Sequence, residues 1–162
     1  FSLSLPIDTP VTIGKTKIWI KTNLDIANAI DPKDEDYIKV SPTPLVADIL
    51  EEISNLGFRL REVECEQASY KLRNHYPFAQ EFEFVPTSSH FRGRLDELEI
   101  IFTSQSTDSV EILMQVDRKA RGLSRLLSEA LEMDESFVRF TVSQHDIPNL
   151  RGTLHKLISK FA

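Results

Sequence analysis

The sequence is poor in several things, and each shortage closes off a class of protein. It has a single cysteine, Cys65, so no internal disulfide can form, and that usage fits a reducing compartment such as the cytoplasm. No stretch approaches the roughly 18 consecutive apolar residues that a bilayer-spanning helix requires. Basic residues are outnumbered 19 to 25, for a formal charge of −6, and without a basic field nonspecific nucleic-acid binding is disfavoured. The spacings G-x-S-x-G, G-x-G-x-x-G and the P-loop are missing, and Gly93 lies in an R-G-R turn rather than a phosphate cradle. The four histidines, His75, His90, His145 and His155, show neither H-E-x-x-H nor H-x-x-E-H spacing. No metal, cofactor or catalytic set is therefore expected. What remains is ordinary globular usage, 41% hydrophobic and 27% charged over 162 residues, enough for one good core or two small ones.

The first 41 residues are β-like and rich in turns. Phe1, Leu3 and Leu5 alternate until Pro6 and the Asp8-Thr9-Pro10 run interrupt them. Lys15 to Thr22 alternates again, with Leu24 and Ile26 extending it. Asp31 to Asp36 reads as a solvated loop and Tyr37 to Val40 as a short strand. A strand at Phe1–Leu5 needs partners on its edges, and nothing upstream in this sequence supplies one. The expectation is that this chain is the C-terminal part of a longer protein, with that edge covered by missing strands or by a second copy in a homo-oligomer.

At Ser41-Pro42-Thr43-Pro44 the pattern turns helical, which sets the expected domain boundary: 1–41 the end of one domain, 42–162 another. Leu45, Ile49, Ile53 and Leu56 form an apolar stripe that ends at Gly57. Four strands follow. In Phe58 to Glu66 the apolar parity slips near Arg61 and Glu62, which predicts a β-bulge. Glu81–Val85, Leu98–Phe102 and Val110–Val116 alternate, the last two joined as a hairpin across Ser104–Ser109. A second helix is expected over Leu123–Leu131, a fifth strand over Phe137–Val142, and a last helix N-capped by Asp146 with Ile147, Leu150, Leu154, Leu157, Ile158 and Phe161 buried. The fold class is thus mixed: closing β-strands of a sandwich, then an α+β domain with a mostly antiparallel sheet, helices on one face and solvent on the other.

On that expected solvated face Glu81, Glu83, Glu97, Glu99 and Glu111 share a parity, and Arg59, Arg61 and Arg139 hold the matching one. Cross-strand ion pairs are the plain explanation, and paired carboxylates for acid–base work the alternative. Cys65 falls on the apolar parity and reads as a buried structural thiol. One cluster resists a plain account. Arg118, Lys119, Arg121 and Arg125 stand at the start of the second expected helix, where the macrodipole prefers anions. An internal network with Glu129, Glu132, Asp134 and Glu135, a ligand anion, or an acidic partner surface would each compensate them.

Five blocks together resemble the SpoOM family of bacterial, arrestin-like sporulation-control proteins. They are FSLSLPIDTPVTIGKTKIWIKTNLDIANAIDPKDEDYIKV at 1–40, LGFRLREVECEQASY at 56–70, PFAQEFEFVP at 77–86, FRGRLDELEIIF at 91–102 and VDRKARGLSRLLSEALEMDESFVRFTV at 116–142. The resemblance implies an arrestin-like sandwich for the N-terminal strands, and a cytoplasmic, non-enzymatic regulator of sporulation or cell stage. Such a regulator works through contacts with a protein partner of unknown identity, and no catalytic residue carries over. Two other readings stay open: a small-anion-binding α+β domain using the Arg118–Arg125 cluster, and a scaffold associated with the cytoskeleton or cell division.

Overall fold

The computed structural model describes residues 2–23, 33–68, 76–117 and 137–161. Thr43 starts the first helix, α1 (Pro44–Asn55), by accepting the Val46 N–H on its hydroxyl, with Pro44 in the first turn where a missing N–H costs little. The helix buries Leu45, Val46, Ile49 and Ile53. Gly57 then turns the chain with φ +89°, and Thr87 and Ser88 donate their backbone N–H groups to its carbonyl.

Beyond it a five-stranded antiparallel sheet runs in sequence order. Numbered after the N-terminal ribbon described below, its strands are β3 (Phe58–Gln67), β4 (Phe78–Pro86), β5 (Glu97–Gln105), β6 (Ser109–Asp117) and β7 (Phe137–Ser143). The last helix, α2 (Ile147–Ser159), buries Leu150, Leu154 and Ile158, with Ile147, Leu157 and Phe161 packed beside them. Both helices lie on the face formed by Phe58, Val63, Phe82, Phe84, Leu98, Ile100, Ile112, Met114 and Val142, which makes one continuous core. Arg151 of α2 joins the helices by a two-pronged bond to Glu52 of α1, at 2.8 and 3.2 Å. The fold is therefore α+β with antiparallel sheets and helices on one face. The helix expected over Leu123–Leu131 lies outside the described residues.

Four local expectations are corrected. Residues 2–6 lie in neither sheet and leave Leu3 and Leu5 exposed, because no described strand lies beside them to complete a ladder. The polar stretch expected as a loop supplies most of a strand. β1 (Ile18–Asn23) pairs antiparallel with β2 (Lys33–Ile38), whose charges are tolerated because this two-stranded ribbon is largely exposed, and Lys21 meets Glu35 at 3.1 Å. Asp146 does not cap α2. A 3-10 turn at Gln144–Asp146 precedes the helix, and the carboxylate turns back to accept the Ser143 N–H and hydroxyl at 2.8 and 2.7 Å, which holds it below the usual carboxylate range. Cys65 is exposed, because the core contribution of β3 ends at Val63.

The ribbon is tied to the core at its root. The Thr12 N–H donates to the Val40 carbonyl, and the Val40 N–H returns a bond to the Thr12 hydroxyl. Beside them the Gln80 amide of β4 acts as a surrogate strand: it accepts the Val11 N–H and donates to the Val11 carbonyl, both at 2.8 Å, and also donates to Thr16. Val11 is buried in the same core as α1.

Two glycines give opposite expectations. A Cβ at Gly57 would stand 2.4 Å from the Ser88 Cβ and in a left-handed conformation, whereas one at Gly152, inside α2, meets nothing within 4 Å. Gly57→Ala should lower unfolding stability by about 1–2 kcal/mol or more. Gly152→Ala should raise it by about 0.5–1 kcal/mol. Urea unfolding of both variants checks the pair.

Candidate functional site

The second face of the large sheet, expected to be solvated, buries four carboxylates. Glu81 and Glu83 of β4 and Glu97 and Glu99 of β5 are between 1% and 8% exposed. Register brings them together, since Glu83 stands opposite Glu99, and Glu81, opposite Ile101, is diagonal to Glu99. Glu97 faces Asp117 and Glu99 faces Gln115 on β6. Carboxylate oxygens of Glu83, Glu97 and Glu99 all lie within 4.8 Å of one another. Ala68, Ile101 and Leu113 are buried on the same side, with Ala79 and Phe137 against them.

A cation reaches the cluster through a defect in the ladder. Leu60 pairs with Phe84 and Glu62 with Glu83, which leaves Arg61 as the extra residue of the bulge. Both flanking halves of β3 keep their apolar side chains on the core, while the Arg61 guanidinium turns to the opposite face. There it contacts Glu83 and donates to Glu97 Oε2 at 2.6 Å. The bulge was legible in the parity slip; its purpose was not.

Among the described residues, Arg61 contacts two of the four acids. Burial, and then the neighbouring Glu99 charge, push the Glu81 carboxyl up to about 9. Burial followed by the charges of Glu97 and Asp117 raises Glu99 to about 8, with Arg61 opposing. Neither Glu81 oxygen has a hydrogen-bond partner, and the Gln115 Oε1 across from Glu99 has none either. The expected cross-strand ion pairs form between Arg139 and Glu111, at 2.7 Å, and between Arg61 and both Glu83 and Glu97, but the expected solvent exposure fails for these four glutamates. The missed signal was Ile101 and Leu113, apolar residues out of step with their strands, which mark the second face as covered.

The other candidates stay apart. Arg118, Lys119, Arg121, Arg125 and His75 lie outside the described residues. His90 and His155 come together with ring centroids 4.7 Å apart beside Phe91, on the helix side of the sheet. His145 is exposed in the 3-10 turn. Among the described residues no helix is long and apolar enough to cross a membrane.

Fold and site together define an antiparallel α+β protein with a buried acidic cluster on one sheet face. A family model described as SpoOM protein matches residues 1–120. The sporulation-control protein spo0M of Bacillus subtilis (strain 168) is 46% identical over 165 residues, covering 100% of this chain and 63% of that protein. The crystal structure of Spo0M, sporulation control protein, from Bacillus subtilis superposes with a TM-score of 0.85 at 43% identity, covering 100% of this chain and 66% of that one. The chain belongs to the SpoOM family, and it spans less than two thirds of the curated relative's length.

Two outcomes test the electrostatics in chelator-treated protein. Arg61→Met leaves Glu83 and Glu97 without their guanidinium and should cost about 1.5–3 kcal/mol at neutral pH, less than a fully buried pair because Arg61 is 41% exposed. The raised carboxyls make the folded state hold more protons than the unfolded one between their ordinary 4.5 and about 8–9. The stability they contribute is complete below that interval and is lost as pH rises through it. Glu81→Gln should flatten the fall in urea midpoint between about pH 5 and pH 9, and curves parallel to wild type would contradict the assignment.

Proposed function

We propose that the chain acts in sporulation or cell-stage control as a cytoplasmic, non-enzymatic regulator, through contacts with another protein. The observation that carries this reading is the likeness to a relative named as a sporulation-control protein, which extends over the whole of this chain. A contact-based role is supported by the spread of reactive groups: Cys65 is exposed on β3, and His90 and His155 lie on the opposite side of the sheet from the glutamates.

We further propose that residues 1–41 are closing strands of an arrestin-like sandwich and 42–162 an α+β domain. Exposed apolar side chains support this. Trp19 and Tyr37 face each other across the ribbon, ring centroids 6.2 Å apart, yet are 51% and 67% exposed, and Leu3, Leu5 and Ile7 are exposed as well. Surfaces of this kind are suited to being covered by further strands or a partner. The partner contact is assigned to Arg118, Lys119, Arg121 and Arg125, four cations within eight residues of an otherwise acidic chain, which suit an acidic protein surface.

The test is charge reversal. Arg118→Glu with Arg121→Glu should leave the thermal transition in place, abolish recovery of partner in co-purification from a sporulating host, and fail to restore sporulation to a strain lacking the gene. Loss of the thermal transition would instead make the cluster part of the fold, and full complementation would remove it from the function.

A further inference from the structure

The glutamate face leaves a specific deficit. Every unpartnered polar atom recorded on it is an acceptor: both oxygens of Glu81, which is 1% exposed, and the amide oxygen of Gln115. Unpaired buried acceptors cost about 1–3 kcal/mol each, and more when charged. Protonating Glu81 does not settle this, because the acid O–H then needs an acceptor of its own and the second oxygen still lacks a donor. A cation that takes oxygen ligands is a partner of the kind these acceptors lack.

The geometry suits one. Glu83, Glu97 and Glu99 each offer an oxygen within 4.8 Å of the others. Of the hard cations, Ca²⁺ takes about six to eight oxygen ligands in flexible geometry and accepts a cage of protein carboxylates, whereas Mg²⁺ usually keeps several of its waters. Glu81 lies two residues from Glu83 on the same face and diagonal to Glu99, and Gln115 lies opposite Glu99, so both flank the trio. Arg61 contacts one oxygen of Glu83 and the Oε2 of Glu97. The four carboxylates carry −4 only when all are ionised, and a bound divalent ion favours that ionised state. The donor set holds no sulfur or imidazole, which disfavours zinc or copper.

We propose that Glu83, Glu97 and Glu99, joined by Glu81 and Gln115, form a binding site for a hard divalent cation of calcium size between β4, β5 and β6. The ion is structural: it clamps three strands on the face away from the helices.

The test uses the whole chain, stripped with chelator and dialysed at fixed ionic strength. Titration with CaCl₂ in a calorimeter should give saturable one-site binding, with MgCl₂ at least tenfold weaker, and Ca²⁺ should raise the melting temperature. Glu99→Gln should weaken Ca²⁺ binding at least tenfold, while Glu111→Gln, in the exposed pair with Arg139, leaves it unchanged. Should Glu99→Gln fail to fold, Glu81→Leu serves instead, since it removes an unpartnered buried acid and so does not rely on a rescued hydrogen bond. Absence of saturable heat together with a melting temperature indifferent to Ca²⁺ and chelator overturns the proposal. So does unchanged affinity in a folded Glu99→Gln or Glu81→Leu variant, which would place any bound ion elsewhere.

Discussion

The contact between Arg61 and the buried pair Glu83 and Glu97 sets the terms for the whole second face of the sheet. Glutamates placed opposite one another across two strands repel, and burial deepens the penalty. Protonation relieves part of that cost, and the bulge in β3 brings positive charge to Glu83 and Glu97 from within the sheet. The helix side has no comparable problem. Its core is a single apolar cluster packed by α1 and α2. The two faces therefore differ in kind: one is held by burial of apolar surface, the other by a balance of charges that depends on pH and on bound cations.

Much of the fold was legible because the residues carrying it follow a single period. The stripe Leu45, Ile49, Ile53 gave α1, the stripe Leu150, Leu154, Ile158 gave α2, and alternation gave β3 to β7 to within a few residues. Parity even located the bulge at Arg61 and Glu62. Failures occurred where period carries no information. A strand exposed on both faces, such as β2, has the composition of a loop. Phe1–Leu5 alternates well, but alternation does not create a neighbouring strand. Asp146 is chemically a good cap, but its carboxylate is taken by Ser143 in the 3-10 turn ahead of the helix.

The carboxylate cluster was hidden for a related reason. Parity tells which residues share a face but not whether that face meets water, so Glu81, Glu83, Glu97 and Glu99 were placed together correctly and given the wrong surroundings. Gln80 was invisible altogether. Its side chain serves as a piece of backbone for Val11, a role fixed by where residues 9–16 cross β4 and by nothing in the local sequence. This amide clamp and the Thr12–Val40 tie join the ribbon to the core through polar bonds around a single buried valine. Lys15 adds a backbone bond to the Val63 carbonyl and ion pairs with Glu62 and Glu64, so the ribbon is fastened through residues 11–16 and the sheet along its length.

The bulge in β3 has a further property. With Arg61 removed, the run Phe58, Arg59, Leu60, Glu62, Val63 alternates without a fault, and the pairings Leu60 to Phe84, Glu62 to Glu83 and Val63 to Phe82 already stand in the register of a regular ladder. The strand is thus one residue longer than its hydrogen bonding requires. A single-codon deletion would repair the ladder, keep every remaining side chain on its own face, and strip the glutamates of their guanidinium. In coding terms the charge is a separable unit, an insertion three nucleotides long that the backbone accommodates and the acidic face uses.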